Sequence, residues 1–72
     1  MAFYYFTTVR KDGIRSEKLG AMELKDDDAA FTFGNGIIRD LMHGDVEQYT
    51  GWIMDITEGK RTVGIIPFVN LN

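Results

Sequence analysis

Residues 25–44, "KDDDAAFTFGNGIIRDLMHG", decide the fold, because they are the stretch in which the hydrophobic period is that of a helix. Apolar residues recur there at three- and four-residue steps, which predicts an amphipathic α-helix. The aspartates at 26–28 supply an N-cap and favourable charge at its start, and His43 in the last turn followed by Gly44 indicates its end. The predicted apolar stripe consists of Ala30, Phe33, Ile37 and Leu41, widened by Ile38 and Met42.

Two glycines and an asparagine, Gly34-Asn35-Gly36, lie in the middle of this helix. A dinucleotide-binding fingerprint needs a third glycine where Arg39 stands, and a P-loop needs a Gly-Lys-Ser/Thr sequence that is absent here. We therefore expect a continuous helix, weakened by about 2–3 kcal/mol relative to alanine. A kink and a ligand-binding loop are the alternatives, and a small residue could also let the helix lie close against a sheet.

Strand-like segments flank the helix on both sides. "AFYYFTTVR" (2–10) is rich in aromatic and β-branched residues, and Asp12-Gly13 predicts a two-residue type I′ turn into a second strand from Ile14 toward Leu24. After the helix, "DVEQYTG" is predicted to be a loop. "WIMDIT" (52–57) and "RTVGIIPFV" (61–69) then predict a second hairpin around Glu58-Gly59, with a type I turn and a left-handed Gly59.

These elements predict an α+β fold with ββαββ topology, a single domain over residues 1–72. Tight hairpins make the consecutive strands antiparallel, and a right-handed crossover through the helix suggests the strand order 2-1-3-4. Pro67 supports an edge position for the fourth strand, since proline cannot donate to a strand ladder. The helix covers one face of the resulting sheet.

Composition excludes several classes of protein. The chain has 72 residues and no cysteine, so disulfides and thiolate metal sites are absent and a cytoplasmic location is expected. Its apolar runs are too short to cross a bilayer, and its opening residues do not resemble a signal peptide. We therefore expect no membrane partner.

Catalytic and metal-binding patterns are also missing from the sequence. Ser16 and His43, the one serine and the one histidine, lie far apart, and no spacing singles out any of the eleven acidic residues. The aspartates at 26–28 lack the glycine and glutamate spacing of a calcium-binding loop. We expect no enzymatic activity, no metal and no cofactor.

Nucleic-acid binding is the alternative function that the sequence leaves open. Tyr4, Tyr5 and Phe6 on the first strand could stack bases, and basic residues cluster on the first hairpin. The net charge of −3 opposes phosphate binding, so nucleic acid is disfavoured as a partner. The candidate contacts are Tyr4, Arg10, Lys11, Arg15 and Lys18.

Apolar residues on both faces of the predicted sheet indicate an interaction surface. One helix can cover only one face, yet every strand except the second carries large apolar residues at successive positions. Exposed apolar area on a small domain commonly marks an interface, although scattered apolar residues are also tolerated on surfaces. The sequence therefore predicts a homodimer, formed through the open sheet face or edge to edge, or a complex with another protein. The candidate interface residues are Tyr4, Phe6, Ile53, Ile66 and Phe68.

The segments "FYYF…VRKDG", "MEL-KDDDAA" and "GW-IMDIT-EGKR-TVGIIPF" resemble those of a family of short uncharacterised proteins from rhizobia and related alphaproteobacteria. That family has a tyrosine-phenylalanine strand, an Asp-Gly turn, a Leu-x-Asp-x-x-x-Ala helix start, a Gly-Trp strand and a Pro-Phe end. The matching positions are Tyr5, Phe6, Asp12, Gly13, Leu24, Asp26, Ala30, Gly51, Trp52, Met54, Ile56, Pro67 and Phe68.

This chain departs from the family pattern in its helix and its second strand. The family helix is alanine- and arginine-rich without internal glycines and is about one turn longer, and the family's acidic-glycine pattern is blurred here by "RSEKLGAM". The resemblance implies a bacterial, cytoplasmic protein with ββαββ topology. It implies no activity, cofactor or catalytic residue.

Overall fold

A four-stranded antiparallel sheet with one long helix on one side forms the protein, for which the computed structural model describes residues 2–69. The elements in chain order are β1 (Ala2–Val9), β2 (Ser16–Leu24), α1 (Asp27–Gly44), α2 (Val46–Tyr49), β3 (Ile53–Glu58) and β4 (Arg61–Pro67). The strand order is β2-β1-β3-β4, and each neighbouring pair is antiparallel. The predicted α+β fold, topology and strand order are confirmed.

Alternating side chains on the central strands give the sheet two different sides. On β1, Tyr4, Phe6 and Thr8 are each 2% exposed, and on β3 the side chains of Met54 and Ile56 are fully buried. Successive residues of a strand point to opposite sides, so these five share the side on which α1 packs. We call this the covered side, and the core lies between it and the helix.

Helix α1 begins as the sequence predicts. The carboxylate of Asp26 accepts a hydrogen bond from the backbone N–H of Ala29 at 2.9 Å, which satisfies one of the free donors of the first turn. The most buried line of residues on the helix is shifted by one residue from the predicted stripe. It includes Gly34, which packs closely against the sheet. That line consists of Ala30, Gly34, Ile38 and Met42, flanked by the half-buried Phe33, Ile37 and Leu41.

Gly34 is a point of close approach between α1 and the sheet. A Cβ atom there would lie 3.1 Å from Cδ1 of Ile56 and 3.2 Å from both Cδ1 of Ile66 and Sδ of Met54, whereas a Cβ at Gly36 would meet nothing within 4 Å. The helix is unbroken through both glycines, so the predicted continuous helix is confirmed. Glycine at 34 lowers helix propensity and in exchange permits close packing.

A second close approach joins the first turns of α1 to the edge strand β4. The ring of Phe31 lies over the backbone of Gly64, where an added Cβ would come within 2.8 Å of Cε1 and closer still to Cζ. Glycine in a strand often marks a place where another group contacts the backbone directly. Because neither Gly34 nor Gly64 has a side chain, α1 can pack close to the covered side of the sheet.

The first hairpin differs from its prediction. A type I′ turn requires a positive φ at both central residues, but only Gly13, with φ 73°, has one. Instead, the N–H of Gly13 bonds to the carbonyl of Arg10 at 2.8 Å, and the Asp12 carboxylate accepts from the N–H of Ile14 at 2.9 Å. These bonds stabilise a longer loop, so β2 begins at Ser16 and not at Ile14.

Smaller corrections apply after α1. Gly44 is the last residue of the helix and not the first beyond it. The segment predicted to be a loop contains the short helix α2. Asp45 caps α2, because its carboxylate accepts a hydrogen bond from the N–H of Gln48 at 3.2 Å. In the second hairpin Gly59 has the predicted left-handed φ, 60°. Because Gly59 and Lys60 alone connect β3 to β4, a positive φ at the first of them is the pattern of a type II′ turn and not of type I.

Three aromatic residues attach α2 and the end of the described chain to the core. The ring centroid of Tyr49 lies 4.8 Å from that of Trp52 and 5.6 Å from that of Phe68. The N–H of Phe68 continues the strand pairing by donating to the carbonyl of Trp52 at 2.9 Å. Aromatic pairs at these separations stabilise a fold by about 0.5–1.5 kcal/mol beyond the area they bury.

Candidate functional site

The structure leaves one of the five predicted interface residues on the free side of the sheet. Tyr4 and Phe6 are 2% exposed, Phe68 is 4% exposed, and Ile66 is half-buried against the core. These four lie on the covered side, so their assignment to a free surface is wrong. The physical reason is that α1 packs against this side of the sheet, where its small residues Ala30 and Gly34 allow a close approach. Ile53 points to the opposite side of β3 and remains a candidate.

The open face, the side of the sheet away from α1, carries three large apolar side chains that are exposed on the strands. Phe3 and Ile65 are each 56% exposed and Tyr5 is 46% exposed. On β1, β3 and β4 this face consists of Phe3, Tyr5, Thr7, Val9, Ile53, Asp55, Thr57, Thr62, Ile65 and Pro67. Large apolar groups gathered on one side of a small domain indicate a surface that binds a partner.

Asp55 is the acidic residue in the middle of the open face. It lies between Thr7 on β1 and Ile65 on β4 in the same cross-strand row. Its Oδ1 atom is buried and has no hydrogen-bond partner among the described residues. A buried acceptor without a donor costs about 1–3 kcal/mol. A partner that covers this row therefore has to bring a donor.

The five residues predicted for nucleic-acid binding differ in exposure. Tyr4 is buried, as is the neighbouring stacking candidate Phe6, whereas the third candidate, Tyr5, is 46% exposed. The guanidinium of Arg10 lies 5.7 Å from the ring centroid of Trp52, and the aliphatic stem of Lys11 packs against Gly51. All four basic residues are exposed: Arg10, Lys11, Arg15 and Lys18. The structure thus buries two of the three predicted stacking residues, leaves Tyr5 exposed on the open face, and engages two of the basic side chains in packing.

A hydrogen-bonded network connects the start of α1 to the sheet. The carboxylate of Asp27 accepts from the hydroxyl of Tyr4 at 2.8 Å and from the guanidinium of Arg61 at 2.8 and 3.0 Å. Arg61 also donates to Glu58, at 2.6 and 3.0 Å. The network lines an open cleft of about 540 Å³.

The same network explains the shifted pKa values of its members. Hydrogen bonds from Arg61, and then from Tyr4, lower the pKa of Asp27 from 3.8 to about 2. Burial, followed by the hydrogen bond to Asp27, raises the pKa of Tyr4. Hydrogen bonds to the two carboxylates raise the pKa of Arg61. Each of these groups is already hydrogen-bonded to another member of the network, which is typical of contacts that hold a helix against a sheet.

Neither the described residues nor known proteins supply a more specific assignment. Residues 2–69 contain no helix with the length and apolar character needed to span a bilayer. Across the same residues, no three histidine or acidic side chains are grouped to hold a metal ion. No family profile, curated protein or solved structure matches the chain.

Proposed function

We propose that this protein is a small cytoplasmic interaction protein that associates with a second copy of itself through the open face. The observation that carries the proposal is the set of half-exposed side chains of Phe3, Tyr5 and Ile65 on the side that α1 does not reach. Removing apolar surface from water stabilises a complex by about 25 cal/mol per Å². A second sheet stacked on the open face would remove these three side chains from water together.

The dimensions of the open face suit a weak, concentration-dependent dimer. Four strands about 4.8 Å apart and about seven residues long, at about 3.3 Å per residue, give a face of roughly 19 by 23 Å. Two sheets pack face to face at about 10 Å, as in β-sandwiches. The resulting area, roughly 440 Å², lies below the roughly 600 Å² per partner that the smallest standard interfaces bury, so the dimer is expected to be weak.

The chemistry of the face favours a second copy as the partner. A two-fold interface brings the same patch together from both chains, so the patch must complement itself. The open face contains an acceptor without a partner, Oδ1 of Asp55, and it also contains the hydroxyl groups of Tyr5, Thr7 and Thr57. Stacked copies can therefore offer hydroxyl donors to each other's carboxylate while their apolar groups pack.

Sedimentation velocity over a concentration series tests the proposal with two matched variants. Ile65→Lys places a charge in the open face, whereas Ile14→Lys places the same charge on the first hairpin loop, where Ile14 is 82% exposed. Burying an unpaired lysine in an interface is costly. We expect Ile65→Lys to weaken self-association by at least about tenfold, equivalent to about 1.4 kcal/mol, and Ile14→Lys to behave as the unmodified protein.

Equal association by all three proteins would contradict the stacking of open faces. A strictly monomeric unmodified protein at high micromolar concentration would contradict self-association altogether. Salt-dependent retention on single-stranded DNA that is lost in Arg15→Glu would instead support the nucleic-acid alternative.

A further inference from the structure

A groove of about 870 Å³ runs between α1 and the edge strand β4. Its volume is in the range of ligand-binding pockets, about 300–1,000 Å³. Because α1 forms one wall, the groove lies on the covered side of the sheet and is separate from the open face. We call it the β4 groove. Its apolar lining residues are Ile38, Met42, Val46, Ile66, Pro67 and Val69.

A row of hydrogen-bond donors borders the groove on the helix side. Asn35, Arg39 and His43 follow each other at four-residue steps on α1, so they share one face of the helix. All three are exposed, and no described acidic residue forms an ion pair with Arg39 or His43. Acidic side chains are also absent from the described lining of the groove, although the chain has a net charge of −3. This donor row beside an apolar floor complements a partner that is both anionic and apolar.

Strand β4, the other wall of the groove, has a free edge. The N–H of Phe68 donates to the carbonyl of Trp52 at 2.9 Å, so the backbone of Phe68 points toward β3. Backbone groups of successive residues in an antiparallel strand point to alternate sides, so those of Ile65 and Pro67 point outward. No described strand pairs with this edge. Because proline has no N–H, the edge offers the N–H and C=O of Ile65 and the C=O of Pro67.

Helix α1 and strand β4 run in the same direction along the groove. The ring of Phe31 lies over Gly64, and Gly34, further along the helix, lies against Ile66, further along the strand. Four residues of a helix rise about 6 Å, and alternate residues of a strand are about 6.8 Å apart. A strand added beside β4 would therefore bring side chains at alternate positions to successive members of the donor row.

We propose that the β4 groove binds a short extended peptide of a partner protein, with glutamates at alternate positions, as a fifth strand beside β4. The peptide backbone would pair with the outward groups of Ile65 and Pro67. The methylene groups of the glutamates would pack on Ile38 and Met42, and their carboxylates would accept hydrogen bonds from the donor row. In recognition of this kind, backbone hydrogen bonds supply affinity and alternate side chains supply specificity.

The sequence of β4 disfavours a second copy of this strand as the occupant. It reads RTVGIIP and contains no acidic residue to meet the donor row of another chain. A long ladder between two such strands would also lose a hydrogen bond at each Pro67. A small amphipathic anion would match the groove in charge but would not use the outward backbone groups of Ile65.

NMR of the full-length protein at low concentration tests the proposal with the peptide acetyl-Thr-Glu-Val-Glu-Val-Thr-amide. We expect the amide signals of Arg39 and His43 to shift and hydrogen exchange at the N–H of Ile65 to slow, while that of Ile66, which already points toward β3, stays the same. Two control peptides replace both glutamates with glutamine or place them next to each other, as Thr-Glu-Glu-Val-Val-Thr. Each should bind at least about tenfold more weakly, because the first lacks the charge and the second turns one glutamate away from the helix.

Two matched variants locate the contact on the protein. Arg39→Glu reverses the charge of the donor row, whereas Arg15→Glu makes the same change on the first hairpin loop. Arg39→Glu should weaken binding of the glutamate peptide by at least about tenfold and should bind the peptide Thr-Lys-Val-Lys-Val-Thr more tightly than the unmodified protein does. Arg15→Glu should bind as the unmodified protein. Both positions are exposed, so thermal unfolding should show that both variants fold.

The proposal is refuted if the glutamate peptide leaves the groove signals unchanged at millimolar concentration, if all three peptides bind equally, or if the two variants behave alike. Shifts at the groove without slower exchange at Ile65 would refute strand addition, and equal shifts with sodium hexanoate would then identify a small amphipathic anion as the ligand. Groove signals that move with protein concentration alone would assign the groove to a second copy and contradict a peptide partner.

Discussion

Gly34 and Gly36 lie on the same helix two residues apart, and replacing each with alanine separates packing from helix propensity. Because alanine has a higher helix propensity than glycine, each substitution stabilises the helix by about 1 kcal/mol. This contribution cancels when the stabilities of the two variants are compared. The added methyl at position 36 meets nothing within 4 Å, whereas at position 34 it meets Ile56, Ile66 and Met54 at 3.1–3.2 Å. Their difference in stability therefore measures how closely α1 packs against the sheet.

The magnitude follows from the cost of inserting a methyl group into a packed core. Three side-chain ends must move by a few tenths of an ångström, or the helix must lift, and such overpacking costs about 1–3 kcal/mol. Gly36→Ala is expected to stabilise the protein by about 1 kcal/mol. Gly34→Ala should be less stable than Gly36→Ala by about 1–3 kcal/mol, a difference of at least about 4–8 °C in Tm for a domain of this size.

Urea unfolding of the two variants, followed by circular dichroism at low protein concentration, measures this difference. A further variant provides a check: Ile66→Val deletes the Cδ1 atom that the new methyl would meet, so it should reduce the cost of Gly34→Ala. Equal stabilisation by Gly34→Ala and Gly36→Ala would show that α1 is not closely packed against the sheet at position 34.

Three further predictions concern the sheet and its network. Gly64→Ala should destabilise the protein because it displaces the ring of Phe31, and in the Phe31→Ala background the same change should become neutral or favourable in urea unfolding. Hydrogen bonds hold the pKa of Asp27 at about 2 against an ordinary 3.8, so its contribution to stability is complete above about pH 4 and is lost as the pH falls toward 2. In thermal melts over that range Asp27→Asn should lose less stability than the unmodified protein, and parallel losses would show that the pKa of Asp27 is not lowered. Asp55→Val removes a buried acceptor without a partner and should raise the free energy of unfolding by about 1–3 kcal/mol; a decrease would show that Asp55 has a partner in the folded monomer.

The topology could be predicted from local patterns because each element carries its own signal. The change from alternating aromatic residues to a three- and four-residue period separates the first hairpin from α1, and Asp26 is in the N-cap position expected of it. The left-handed glycine at 59 marks the second hairpin. Antiparallel hairpins joined by one helix then leave few arrangements, and the observed order is among the simplest of them.

The side of the sheet that the helix covers could not be predicted in the same way. Tyr4 and Phe6 alternate on β1 with Phe3 and Tyr5, so the two sides of that strand are almost equally apolar. The choice depends on contacts between distant residues, such as that of Tyr4 with Asp27 at the start of α1.

One signal in β4 would have helped to identify the covered side. Gly64 alternates with Ile66 and Phe68, and a glycine between large apolar residues suggests the side on which another backbone or ring comes close. By the same alternation Ile65 belongs to the open face, where it is 56% exposed.

The central claim is that the open face is the surface by which this protein associates, and isoleucine methyl resonances in solution NMR test it most directly. The spectra would be compared from about 20 µM to about 1 mM protein, the range in which a weak interface of this size becomes occupied. Association through the open face predicts that the methyl signals of Ile53 and Ile65 shift with concentration, while those of Ile14 on the loop and Ile38 in the core remain in place. Unchanged signals from Ile53 and Ile65 across the series, or shifts confined to Ile14, would contradict it.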